Sequence, residues 1–142
     1  MEWNPWLASA VRAVGAFHAT LLRAVGGWRV GRDTLVLTTR GRVTGKDHAT
    51  ALFYVEQDGK LYVVASFGGS DTAPGWYRNL VKTPEVDVDT GTRRGRYRAR
   101  SLPAAEAERV WPALLAMWPS YADYQKRTTR VIPIVELSPL AR

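Results

Sequence analysis

Two apolar runs, Ala49–Gln57 and Lys60–Ser66, are separated only by Asp58-Gly59. A two-residue link of this type enters the tight type I′ turn, whose central residues both need positive φ. The pair of runs is therefore expected to form an antiparallel hairpin, and this commits the middle of the chain to β-structure. Other segments repeat the pattern. Thr34–Thr39 (TLVLTT) is rich in β-branched residues, and Val86–Thr90 with Arg94–Leu102 predicts a second hairpin. Ile132–Leu137 reads as a final strand. Gly68–Thr72 reads as a loop and Pro74–Lys82 as a short helix with Pro in its first turn. Ala104–Met117 is helical in pattern, with Pro112 inside it, and Tyr121–Arg127 makes a further helical turn. No βαβ alternation occurs, which disfavours a parallel nucleotide-binding sheet. Five or six antiparallel strands with peripheral helices predict a mainly β (α+β) fold, a small barrel or split β-barrel.

Ahead of the strands, residues 3–25 carry Trp3, Trp6, Leu7, Ala10, Val14, Phe17, Leu21 and Val25 at helical spacing, with Arg12 and Arg23 on the other side. Gly26-Gly27 ends the pattern. The same amphipathic helix suits packing on the domain core or lying on a membrane surface. The expected organisation is thus a helix and linker over residues 1–30, followed by one barrel domain over 31–142.

The chain of 142 residues has no cysteine and only two histidines, His18 and His48. Disulfide scaffolds, thiol catalysis and Cys- or multi-His metal sites are excluded, and no metal is expected. The longest uncharged runs are far short of the ~20 residues that span a bilayer, and Met1-Glu2-Trp3 does not open a signal peptide. A cytoplasmic protein is expected, with peripheral contact on the inner face of the plasma membrane through residues 3–25 as an option. With 20 Lys+Arg against 13 Asp+Glu, the net charge of +7 favours an anionic partner. In Arg93–Arg100 the arginines alternate along a strand, but the aromatics lie elsewhere, in Trp118–Tyr124. That segregation is unlike a stacking platform for nucleic acid, and no nucleic-acid partner is expected.

Gly41–Lys46 ends in Gly-Lys but has three residues between its glycines, and Asp47 stands where a P-loop needs Ser or Thr. It reads instead as a glycine-punctuated basic turn whose N–H groups, with Arg40, Arg42 and Lys46, suit an anion or simply solvent. Tyr121 and Tyr124, three apart, present two phenols on one helical face. Phenols beside small polar residues suit a flat conjugated ligand, although buried aromatics are more often core.

LTTRGRVTGK (37–46), VVASFGGS (63–70), PGWYRNL (74–80), Thr83-Pro84-Glu85-Val86, WPSYADYQ (118–125) and Arg130-Val131-Ile132-Pro133 occur in that order. Together they resemble the deazaflavin-dependent nitroreductase family of actinobacteria, whose members use coenzyme F420. The resemblance runs from about Leu35 to Leu137 and implies a split β-barrel related to flavin-binding oxidases. It implies that Arg42, Thr44, Gly45 and Lys46 meet the cofactor's phosphate-bearing arm, with His48 beside them. By the same resemblance, Ala65 and Ser66 line the deazaflavin ring, and Trp76, Tyr77 and Asn79 close the groove. Phe53, Trp118, Tyr121 and Tyr124 face the substrate, with Tyr121, Tyr124 or Ser66 completing catalysis. The chain departs from the family's common pattern at Val43, at His48–Ala51 and at Phe67, where basic residues are usual. Arg40 and Arg78 are the candidates to make up that charge.

The implied reaction is hydride transfer from C5 of the reduced deazaflavin to an electron-poor small molecule: a quinone, an enone or a nitro compound. A tyrosine phenol or the Ser66 hydroxyl then supplies a proton or steadies negative charge. The alternative is a split barrel that has lost F420 and holds FMN, haem or a fatty acid without this redox activity. FMN is the less expected cofactor. A monomer and a homodimer are both compatible with the sequence.

Overall fold

The computed structural model describes residues 33–66, 69 and 72–140. The amphipathic segment 3–25, the linker to 30 and Phe67 lie outside the described residues. The strands are β1 (Thr34–Arg40), β2 (Asp47–Phe53), β3 (Val55–Gln57), β4 (Lys60–Val64), β5 (Glu85–Asp89), β6 (Arg94–Ser101) and β7 (Ile134–Pro139). The helices are α1 (Gly75–Lys82), α2 (Ala104–Met117) and α3 (Ser120–Lys126).

All strand pairs are antiparallel, in the order β2-β1-β5-β6-β7-β4-β3. The two outermost strands, β2 and β3, are separated in sequence by Tyr54 alone. A sheet whose opposite edges are one residue apart must curl until those edges meet, which makes it a barrel. The expected single arm Ala49–Gln57 is therefore two strands. Its first half pairs with β1 and its second with β4, while the Tyr54 N–H donates to the Asp33 carbonyl at 3.1 Å. Counted as one bent run, β2 and β3 leave six strands around the barrel.

The hairpin between β3 and β4 turns at Asp58 (φ 54°) and Gly59 (φ 77°), both left-handed as the dipeptide predicts. The final strand begins later than expected, at Ile134, because Pro133 has no N–H to give the ladder. The Pro133 carbonyl instead accepts the Ala65 N–H at 3.0 Å. Pro74 precedes α1 in extended conformation, one position before the helix rather than in its first turn.

Alternation along the strands creates two apolar layers. Leu35, Leu37, Leu61, Val63, Val86, Val88, Tyr97, Val135 and Leu137 fill the barrel, and α1 closes one end with Leu80, Trp76 and Tyr77. On the outer face, Tyr62, Val64, Ile132 and Ile134 pack against Val110 and Leu114 of α2 and Tyr121 of α3.

One carboxylate interrupts this outer layer. Glu136 is buried and is bonded by the Tyr62 hydroxyl (3.2 Å) and by Arg100 Nη2 (3.2 Å), and Arg100 also reaches Glu106 in the first turn of α2 (2.9 and 3.0 Å). Burial, then the Glu136 charge, pushes the Tyr62 phenol up from its ordinary pKa. The arrangement ties α2 to β6, β7 and β4 through charge-assisted bonds.

Candidate active site

The turn between β1 and β2 is closed by backbone bonds from Gly41 N–H to the Lys46 carbonyl (2.8 Å) and from Gly45 N–H to the Gly41 carbonyl (2.9 Å). The His48 imidazole lies under it, in space that a Cβ on Gly41 would need, 2.9 Å from Nε2. Asn79 of α1 pins the turn from below. Its side-chain oxygen accepts the Arg42 N–H (3.2 Å) and Arg42 Nη1 (2.9 Å), and its Nδ2 donates to Thr39 Oγ1 (3.1 Å). Asn79 is 5% exposed and Thr39 1%. Lys82 Nζ adds a bond to the Arg42 carbonyl at 3.0 Å.

Arg42 thus makes its bonds to an amide and, at 3.5 Å, to the Gly75 carbonyl, and forms no ion pair with a carboxylate among the described residues. Among the described residues, Lys46, Arg78 and Lys82 also form no ion pair, and Arg40 stands across the ladder from Asp47. Val43, where the family pattern is basic, is 87% exposed. The result is a hydrogen-bonded cationic turn that carries guanidinium and ammonium donors, which suits an anionic ligand.

A second cluster lies at the far end of β2. The Phe53 and Trp118 rings are 5.5 Å apart, Trp118 Nε1 donates to the Tyr124 hydroxyl at 3.3 Å, and the Tyr121 and Tyr124 rings meet edge-on at 6.1 Å. The Arg127 guanidinium sits 5.6 Å over the Tyr124 ring. Tyr121 is 6% exposed and belongs to the outer core, whereas Tyr124 is half-buried. Ser66 is 8% exposed, and its hydroxyl has no hydrogen-bond partner among the described residues. Five steps of strand, about 17 Å, separate His48 at one end of β2 from Phe53 at the other.

The sequence-predicted residues therefore fall into two groups bridged by β2. Arg42, Thr44, Gly45, Lys46, His48 and Asn79 gather at the basic turn. Phe53, Trp118, Tyr121 and Tyr124 form the aromatic group, with Ala65 and Ser66 at the end of β4. Trp76 and Tyr77 follow Gly75 on α1, the helix that carries Asn79; both are partly buried against the barrel interior, and the Tyr77 hydroxyl pairs with Ser101 Oγ at 2.7 Å. Arg130 belongs to the Arg130-Val131-Ile132-Pro133 motif, which by itself points to no role. Its Nη2 donates to the carbonyls of Ala65 (3.2 Å) and Ser66 (2.8 Å) across 65 and 64 positions of chain, a contact no local pattern announces.

The arginines of β6 behave differently. Arg94 faces Asp89, Arg96 faces Asp87 and Glu85, and Arg100 faces Glu106 and Glu136, so this strand is largely charge-neutralised. An open hollow of about 560 Å³ lies on the outer face of β1, β2, β5 and β6, where Asp47, Asp87 and Asp89 share the lining with Arg94 and Arg96.

A family model described as F420H(2)-dependent quinone reductase matches residues 10–139, reaching further toward the N-terminus than the motifs from Leu35. A curated F420H(2)-dependent quinone reductase of Mycobacterium tuberculosis is 31% identical over 151 residues, covering 97% of this chain and 99% of that protein. A solved F420-H2 dependent reductase (FDR-A) superimposes with a TM-score of 0.69 at 36% identity, covering 75% of this chain and 95% of the other. A further solved structure, described as a domain-swapped dimer, gives a TM-score of 0.71 at 32% identity over 86% of this chain and 96% of the other. With the curled antiparallel barrel, the cationic turn and the aromatic cluster in the expected order, the chain belongs to the F420H(2)-dependent quinone reductase family.

Proposed function

We propose that this chain passes reducing equivalents from reduced coenzyme F420 to a planar, electron-poor acceptor of the quinone type, with both molecules held along β2. The F420-dependent oxidoreductase activity and the cofactor follow from family membership. The residue roles rest on the geometry. One observation carries them: a turn whose Arg42 and Lys46 have no carboxylate partner among the described residues and a cluster of aromatic rings stand at opposite ends of a single strand.

The donor set at the turn fits a phosphate-bearing arm. Arg42 offers its guanidinium, Lys46 its ammonium, and Thr44 and His48 supply hydroxyl and imidazole groups, while Gly45, whose N–H is given to the Gly41 carbonyl, lets the turn close at positive φ. Asn79 serves the arm through Arg42, whose backbone and side chain it fixes together. Ala65 and Ser66 form the wall against the ring, and Phe53 with Trp118 provides an apolar face for the acceptor. When bound, the reduced deazaflavin supplies a hydride.

Tyr124 is the proton donor that this arrangement favours. Its oxygen accepts the Trp118 indole N–H, which leaves its own O–H hydrogen to give to a substrate oxygen. The same indole N–H then steadies the phenolate that remains. Ser66 is a second donor, and Tyr121 supports Tyr124 by packing against its ring. Aromatic walls exclude water from the reacting faces.

The test is direct. Purified protein with reduced F420 and menadione should regenerate oxidised F420, and Tyr124→Phe should lower kcat by about 10²-fold, within the range for a general acid. Cofactor that stays reduced in the presence of menadione, together with unquenched F420 fluorescence on titration, removes the proposal. Among the described residues no helix is long and apolar enough to cross a membrane. Peripheral contact through residues 3–25 is tested separately by liposome co-sedimentation of the full chain and of a chain lacking 1–25. The dimer described for one structural neighbour supports a homodimer, which light scattering on the pure protein would read.

A further inference from the structure

We infer that Arg130 is a positioning residue, which together with Gln125 locks the Ala65–Ser66 wall to α3 and so sets the width of the reaction cleft; this rests on the reading of the site above.

The β4–β7 ladder ends at the pair Val64 and Ile134. Beyond it Ala65 keeps one backbone bond, to the Pro133 carbonyl, and Ser66 has left the sheet. What fixes the Ser66 peptide is its carbonyl, which accepts Arg130 Nη2 at 2.8 Å and the Gly69 N–H at 2.9 Å. The same Nη2 reaches the Ala65 carbonyl at 3.2 Å. One charged donor shared by two successive carbonyls holds that peptide plane more firmly than a neutral donor would.

Arg130 is itself anchored to α3. The Gln125 side-chain amide donates to the Arg130 carbonyl (2.8 Å) and accepts the Ile132 N–H (2.9 Å), gripping the backbone on both sides of Val131. Gly69 meets the same helix from the other side. A Cβ there would lie 2.7 Å from the Tyr124 carbonyl oxygen and 2.9 Å from its Cα, so only a glycine backbone can come this close. Helix α3 carries Tyr121 and Tyr124. The wall expected against the deazaflavin ring and the wall expected against the acceptor are therefore joined through Gln125, Arg130 and Gly69. Two flat partners stacked between them have their separation set by this link. A displacement on the order of 1 Å in such a geometry costs about 10²-fold in rate.

The test uses Arg130→Met, Arg130→Lys and Gln125→Leu in the full chain. Amide hydrogen exchange of the ligand-free proteins should show faster exchange at 65–69 and 121–127 together in Arg130→Met, with β1 and β5 unchanged. With reduced F420 and menadione, kcat should fall by about 10²-fold in Arg130→Met. The affinity for F420, held mainly by its arm, should change by less than about threefold, since the turn's charge-assisted bonds are untouched. Arg130→Lys should recover part of the loss, and Gln125→Leu should show the same pattern more weakly. Protection unchanged at both segments in Arg130→Met overturns the inference. So does a global loss of protection in Arg130→Lys, which makes the residue a general stabiliser. A wild type that fails to turn over refutes the proposed function, and the exchange pattern still decides the link.

Discussion

Arg42 and Arg96 border the same curled sheet, yet their surroundings are opposite. Arg96 lies across from Asp87 and near Glu85, at 3.2 and 3.4 Å, on an open strand face. Arg42 is half-buried and bonds to Asn79, a neutral amide that orients the guanidinium without cancelling its charge. The carboxylates around β6 occupy the positions a phosphate would take, whereas at the turn no carboxylate among the described residues takes them. Arginine count is thus a poor guide to binding, and the partner each arginine already has is a better one.

The largest expected effect that separates the two regions is on cofactor affinity. Arg42→Met should weaken F420 binding by about 10- to 100-fold, the loss of one charge-assisted contact, while Arg96→Met should stay within about twofold because its charge is already answered. Fluorescence titration of the two variants at low and at high salt measures this. Equal losses in both would erase the distinction drawn here.

Next comes the device that orients Arg42. Asn79→Leu strands the buried Thr39 hydroxyl and the Arg42 N–H, so urea unfolding should show a loss of roughly 1–3 kcal/mol. Its F420 affinity should fall in parallel with that of Arg42→Met. An Asn79→Leu protein of normal affinity would mean that the turn holds its shape unaided.

The smallest effect belongs to the β6 side. The Arg100 guanidinium, chiefly through its hydrogen bonds, holds the Glu106 carboxyl below its ordinary pKa. A folded-state pKa that is depressed adds stability above the unfolded pKa, and that stability disappears as pH falls through the folded value. Glu106→Gln should therefore be slightly less stable than wild type at neutral pH, and the gap should close in acid. Thermal melts across pH 3–7 read it, and a gap that persists at the acid end refutes the assignment. The pair is exposed, so the difference is small at any pH.

Much of the barrel was legible in the chain. Asp58-Gly59 announced its turn, Thr34–Thr39 and Arg94–Leu102 their strands, and Ala104–Met117 its helix, because each is a local pattern of propensity and period. The break at Tyr54 was not, since an unbroken apolar run looks the same whether it pairs with one neighbour or with two. In the site, the basic turn and the two phenols were readable as residue types. Their standing was not: Tyr121 is core and Tyr124 half-buried, and Asn79 is a brace for Arg42.

The sequence alone determined most of the strands and helices, the family motifs and the absence of cysteine thiols, which are read from composition or from neighbours a few residues apart. Only the tertiary structure decided which arginines are paired with carboxylates among the described residues and that Arg130 reaches back to Ala65 and Ser66. Those facts depend on contacts tens of residues apart in the chain, which exist only once the sheet has curled and its helices have docked.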